Sequence, residues 1–158
     1  MCKTGRPAVD TLNIGDVSNE AGHNLIGWSN AWVKPGWGGT YGGGSSDESF
    51  RLLMGKGDGC DAGDVNATFE MNAGTKYATQ LIIEHLDGSQ TDSFDVYVNN
   101  VKIGSYVHID AGGENWITSQ FSFPPTTGVI TVKLTATEGV PSWCADWGLV
   151  GISNALIK

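Results

Sequence analysis

The sequence predicts an all-β fold, an antiparallel β-sandwich, from three observations. Glycine is abundant, 23 of 158 residues, which implies many turns and bulges and hence many short strands. Several segments alternate apolar and polar residues at the period of two that a half-buried strand shows, and none carries a helical period. Turn residues punctuate the chain between these runs.

In chain order, strands are expected at Thr11 to Asp16, Phe50 to Met54 and Val65 to Met71. The next, Tyr77 to His85 (YATQLIIEH), runs into a turn at Leu86-Asp87-Gly88. A hairpin follows: Ser93 to Val98, with Phe94, Val96 and Val98 on one face, then Asn99-Asn100, then Val101 to Tyr106. The two asparagines tolerate the positive φ angles of a tight turn. Trp116 to Phe123 is bounded by Pro124-Pro125, Val129 to Ala136 (VITVKLTA) comes next, and Trp147 to Ile157 closes the chain. About nine strands with no helix favour a sandwich.

No linker, heptad or internal repeat divides the chain, so residues 1–10 are read as a flexible N-terminal segment and 11–158 as one domain. A domain of this length buries a sizeable core without needing disulfides.

Nine Lys plus Arg against 17 Asp plus Glu give a formal net charge of -8. That balance argues against nucleic acid, because no basic stripe exists to replace phosphate counterions. An anionic membrane surface is disfavoured on the same ground, and no apolar run is long enough for membrane insertion. The acidity suits a soluble exported protein and carboxylate binding of Ca²⁺, although solubility alone also accounts for such a charge. Met1 to Asp10 lacks the apolar stretch of a signal peptide. The favoured location is extracellular or at the cell surface, with the leader removed.

The three cysteines, Cys2, Cys60 and Cys144, match no metal or redox spacing. Cys60 and Cys144 both lie in expected loops, so an exported protein could join them in a disulfide, leaving Cys2 unpaired.

Between Ala21 and Ser49 the strand pattern breaks down into a long glycine-rich stretch holding Trp28, Trp32, Trp37 and Tyr41. Loops of this length in small domains tend to be functional or mobile. The chain has six tryptophans. An exposed indole offers a flat apolar face to the C–H groups of a pyranose, while Asp, Asn and Gln address the hydroxyls. Trp28, Trp37, Tyr41 and Trp143 are the candidate stacking residues, whereas Trp116 and Trp147, at strand starts, are expected in the core.

Asp58, Asp61 and Asp64 in GKGDGCDAGD could gather oxygens around Ca²⁺, without the EF-hand pattern. Asp87, Asp92 and Asp95 surround a turn, where turn formation is the simpler account. Asp16, Asn19 and Glu20, just after the first strand, could meet Asn154 on the last and hold a structural cation. No Gly-x-Ser-x-Gly, His-Glu-x-x-His or phosphate-binding glycine loop occurs, and His23, His85 and His108 are far apart. A binding domain, not an enzyme, is therefore expected. Asn66-Ala67-Thr68 fits the N-glycosylation rule but lies in an expected strand.

IGDVSNEAGHNL at Ile14 to Leu25, then IIEHLDGSQTDSFDVYVNNVKIGSY, ENW and the closing WGLVGISNALI resemble galactose-binding-domain-like jelly rolls of the carbohydrate-binding-module type. The resemblance covers most of residues 11 to 157. It implies a jelly-roll sandwich, a glycan or polysaccharide bound on loops at one end or on a sheet face, and a structural calcium ion between early-loop and last-strand residues. Carried over residue by residue, the calcium role falls on Asp16, Asn19 or Glu20, and Asn154; the last-strand position often carries an acid, which Asn154 does not supply. The fold also hosts scaffolding. The alternatives are a structural subunit of an extracellular assembly, self-associating through edge strands with Lys3 to Val9 docking on a neighbour, and a small glycoside-acting hydrolase.

Overall fold

The structure is a computed structural model that describes residues 7–28, 32–33, 49–53, 66–87, 93–109, 115–137 and 150–158. Its strands are β1 (Asp10–Asn13), β2 (Trp32–Val33), β3 (Ser49–Leu52), β4 (Asn66–Asn72), β5 (Ala78–Asp87), β6 (Phe94–Val98), β7 (Val101–Tyr106), β8 (Asn115–Thr126), β9 (Val129–Ala136) and β10 (Gly151–Ile157). They form two antiparallel sheets. The larger has the order β2-β3-β10-β5-β8, with β1 also paired to β10, and the smaller has the order β4-β9-β6-β7. This is the all-β antiparallel sandwich that the alternation predicts, of the jelly-roll type that the resemblance implies.

The core lies between the sheets because the alternating positions point inward from both. Phe69, Met71, Phe94, Val96, Ile130, Val132 and Leu134 of the smaller sheet meet Leu12, Leu81, Ile83, Ile152, Ala155 and Ile157 of the larger. The β6–β7 turn is the expected one, with Asn99 and Asn100 at φ 49° and 66°.

Four boundaries differ from the sequence reading. β8 continues through Pro124 and Pro125 to Thr126. It is the outermost strand of its sheet, where a missing N–H is tolerated, and its partner β5 shifts register between Ala78 and Gln80 beside the prolines. β5 itself runs on to Asp87 in register with Asn115, where a turn was expected. A one-turn helix, α1 (Val17–Ala21), follows β1: Asp16 adopts an extended conformation and its carboxylate accepts the Asn19 N–H, an N-cap that starts a helix too short to show a period. Within the long aromatic stretch, β2 pairs with β3. Residues 26–28 bridge the sheets there, Ile26 to Thr68 and Trp28 to Leu53. Gly27 permits this crossing: at φ +84° a Cβ would lie 2.6 Å from the Asn66 carbonyl oxygen.

At the N-terminus, β1 begins at Asp10 and the Val9 N–H donates to the Ile157 carbonyl at 2.7 Å, so these two residues of the expected flexible segment join the large sheet of their own chain.

Candidate functional site

Strand registers sort the connections by end. β5 finishes at Asp87 opposite Asn115, where β8 starts. Leu53 donates to the Val150 carbonyl, so the exit of β3 lies beside the entry to β10. In the other sheet Phe94 pairs with both Tyr106 and Ala136, and Asn66 with Thr135. Segments 54–65, 88–92, 110–114 and 138–149 therefore all leave from and return to one end of the sandwich, the loop end. The opposite end carries the tight turns around Gly74, Asn99-Asn100 and Gly128.

Beneath the loop end, on the face of the large sheet turned away from the core, lies a second apolar patch. Leu86 pairs with Trp116, and Leu52 with Gly151. Phe50 meets Trp116 with ring centroids 5.1 Å apart. Phe50, Leu52 and Leu86 are buried, while Trp116 is only half-buried. Glycine at 151 suits this close approach, since a Cβ there would be 3.0 Å from a Leu52 methyl and 3.7 Å from the Trp116 ring.

Inside the same end, polar groups are packed between the sheets. His85 is fully buried, edge-on to Phe94 and Tyr106 at 5.0 and 4.4 Å. Its Nδ1 lies 3.2 Å from the Leu86 carbonyl, which can only accept, so Nδ1 carries the proton and the Ser119 hydroxyl donates to Nε2 at 2.7 Å. Burial pushes the His85 pKa down to about 4, against the raising effects of the Leu86 carbonyl, Asp87 and Glu84. Next along β5, the buried Asp87 carboxylate accepts the Tyr106 hydroxyl at 2.6 Å, with His108 Nδ1 at 3.5 Å. The His108 N–H donates to the buried Ser93 hydroxyl at 2.8 Å.

Asp16, Asn19 and Glu20 do come together around α1, and each is engaged by the protein. Asp16 accepts the Asn19 N–H at 3.1 Å and the Ser18 hydroxyl at 2.9 Å, bonds that hold its carboxyl below the usual carboxylate range. The Asn19 carboxamide accepts the Asn13 N–H at 2.7 Å and donates to the Thr11 carbonyl at 3.0 Å, serving β1 as a neighbouring strand would. Glu20 accepts the Gly15 N–H at 2.6 Å and the Arg51 guanidinium at 2.8 Å. Asn154 lies on β10 opposite Asn13 and Glu84. Arg51 supplies the positive charge beside Glu20, one Asp16 oxygen takes both the Asn19 N–H and the Ser18 hydroxyl, and the Asn19 oxygen takes the Asn13 N–H, so these groups are held by the protein itself. Among the described residues no cluster of three or more His, Cys, Asp or Glu is arranged to hold a metal.

Of the stacking candidates, Trp28 is half-buried; its indole N–H donates to the Thr68 carbonyl at 2.9 Å and its ring lies 6.4 Å from Phe69. Trp37, Tyr41 and Trp143 lie outside the described residues, as do Cys60 and Cys144 and the acidic run Asp58, Asp61 and Asp64. Sequence reasoning missed the inward-facing His85 and Asp87. Their signal was present, since Leu81, Ile83, His85 and Asp87 form one period-two series.

No protein-family model matches the sequence, and no curated protein matches it. Among solved structures, the chain is similar to a family 35 carbohydrate-binding module from an environmental isolate, with a TM-score of 0.51 and 15% identity over 94% of this chain and 91% of that one. It is also similar to the C-terminal CBM6 of LamC, a marine laminarinase from Zobellia galactanivorans, with a TM-score of 0.50 and 10% identity over 94% and 98%. At these identities the likeness is one of fold, a β-sandwich in common with these two modules.

Proposed function

We propose that this domain is a non-catalytic extracellular carbohydrate-binding module that takes its glycan at the loop end. One observation carries the reading: the strand ends that flank four connecting segments lie together at one end of the sandwich, where a half-buried Trp116 is backed by Phe50. Rigid strands that present variable loops are a common way to build a binding site. The two similar structures named above are both carbohydrate-binding modules, which supports a glycan as ligand.

In this reading Trp143 stacks on the sugar from the segment between Thr137 and Val150. The segment between β2 and β3 leaves from the entry of β3 and not from the loop end, so in this reading Trp37 and Tyr41 add to the site only by reaching across to it, while Trp28, bridged to Leu53, flanks it. The Ser119–His85 pair supports binding over catalysis. Its imidazole is fully buried and faces a backbone carbonyl instead of a carboxylate at Nδ1. A pKa of about 4 also makes it a weak base at neutral pH. A role for calcium rests on Asp58, Asp61 and Asp64, in the 54–65 segment.

Affinity electrophoresis through gels containing soluble plant and algal polysaccharides, with and without EDTA, tests the reading. The wild type is expected to be retarded by at least one polysaccharide and the Trp37→Ala and Trp143→Ala variants to be released. No retardation on any polysaccharide would overturn it, and loss of retardation in EDTA would establish the calcium requirement.

One observation favours a second reading, self-association. β7 ends the smaller sheet, and Val101 at its start and Val107 and Ile109 just past its end are 64, 69 and 64% exposed. An edge of this kind can pair with another strand. Light scattering that gives the monomer mass at every concentration, with or without calcium, would reject it.

A further inference from the structure

The two sheets end at their sides in β2 and β8 and in β4 and β7, with β1 outermost beside β10. Most of these edges are blunted. Along β4, Thr68 exchanges backbone bonds of 2.8 and 3.0 Å with Ile26, the Glu70 N–H donates to the His23 carbonyl at 2.7 Å, and the Asn72 N–H donates to the Asp10 carboxylate at 2.7 Å. Asn19 covers β1. β2 is two residues long, and β7 carries Lys102, whose ammonium lies 3.2 Å from Asp95. Covering groups, short strands and charge all keep an edge from pairing with another chain.

β8 has none of these devices over residues 117–123. Its twelve residues, Asn115–Thr126, include no charged side chain, in a chain of net charge -8. Its register against β5 is unbroken from Asn115 to Ser122, so no bulge bends it away. Among the described residues, the backbone groups of 117–123 have no partner outside β5. Thr118, Gln120 and Ser122 are exposed, alternating with the core residues Phe121 and Phe123. The Pro124-Pro125 pair closes this open stretch at one end.

Backbone groups left open along a sheet edge are met by another extended strand. Two molecules this acidic repel each other unless they meet along a neutral strip, and a second copy's β8 supplies one. Identical strands related by a twofold axis run antiparallel. Because the groups pointing outward recur at every second residue, the axis falls on a residue that pairs with itself. Centring on Gln120 uses all of 117–123. It sets Thr118 opposite Ser122 of the second copy, a hydroxyl pair of the kind that stabilises neighbouring strands.

We propose that β8 is the strand through which two copies of this chain associate, pairing antiparallel about Gln120 so that their larger sheets run into one. The proposal rests on the self-association reading, to which it adds the strand, the partner and the register, and it is independent of the glycan reading. A ladder over 117–123 buries less than the roughly 1,200 Å² of stable interfaces, so association is expected toward millimolar protein.

Sedimentation equilibrium of the full chain from micromolar to millimolar concentration should show a mass rising from one chain toward two. Gln120→Lys, which sets two ammonium groups face to face on the axis, should weaken association about tenfold with the thermal midpoint unchanged. Gln120→Cys should cross-link under mild oxidation, because directly opposed residues lie within disulfide reach; peptide mass mapping identifies the bond between the two introduced thiols. Thr118→Cys, whose position faces Ser122 of the second copy and not itself, should not cross-link. A monomer mass throughout would overturn both the β8 contact and the self-association reading. A dimer that Gln120→Lys leaves intact and Gln120→Cys fails to cross-link would overturn β8 as the contact and leave self-association through another edge, such as β7. Equal cross-linking by both cysteine variants would overturn the pairing about Gln120.

Discussion

Arg51 reaches from β3 to Glu20 on α1, placing its Nε 2.8 Å from a carboxylate whose other oxygen accepts the Gly15 N–H. Glu20 is 8% exposed, so its charge is largely removed from water and needs this partner. Arg51→Ala is expected to lower the unfolding free energy by about 2–4 kcal/mol, because it strands a buried carboxylate. Glu20→Gln, which keeps an acceptor for Gly15 and removes the charge, should lose less. Urea denaturation of both variants checks the order; equal losses would show that the pair is not what holds α1.

Asn19 closes the outer edge of β1 with one carboxamide. Its two bonds, to the Asn13 N–H and the Thr11 carbonyl, cover groups that an exposed edge strand would offer to another chain. Asn19→Ala should cost about 1–2 kcal/mol and speed hydrogen exchange at the Asn13 amide, leaving amides in β9 unchanged. Asn19→Asp, keeping only the acceptor, should protect Asn13 but not restore full stability. Unchanged exchange at Asn13 in the Ala variant would refute the edge-covering role.

The contrast between these residues and the hairpin shows what a sequence displays. In SFDVYVNNVKIGSY the alternation and the two asparagines are local signals, and both the strand faces and the positive φ values follow from them. The continuation of β8 is not legible in the sequence because a proline pair reads as a stop, whereas its tolerance depends on β8 being outermost, a property of the assembled sheet. Asn19 and Glu20 resembled cation ligands for a similar reason. Their polar atoms are visible in the sequence, but their partners Asn13, Thr11 and Arg51 are set by packing, and Arg51 lies 31 residues away from Glu20.

His85 makes stability depend on acid. Its pKa is near 6.5 in the unfolded chain and about 4 in the folded one. Between these values the unfolded chain binds a proton that the folded chain does not, so stability must fall as pH drops from 6.5 to 4. Integrated over that window, the loss from this residue is about 3 kcal/mol. In a His85→Gln variant the corresponding part of the slope should vanish, although the variant is less stable at neutral pH. Urea midpoints measured at half-unit steps of pH decide the matter: parallel curves for the two proteins would contradict the assigned titration.

Asp87 and Tyr106 hold the base of the loop end together across the two sheets. The carboxylate is 3% exposed and accepts the phenol hydroxyl at 2.6 Å; residues on both strands lead directly into the segments 88–92 and 110–114. Tyr106→Phe retains the ring contacts to His85 and Phe94 and removes only the hydroxyl. A buried carboxylate that loses a donor should make the variant less stable by about 1–3 kcal/mol. Asp87→Asn can still accept the phenol hydroxyl and carries no charge, so it should be less damaging than Tyr106→Phe. Combining the two changes gives a double-mutant cycle in which the sum of the single losses exceeds the loss in the double variant. Additive losses would mean that the two side chains, though adjacent, do not support each other, and that the loop end is held by other contacts.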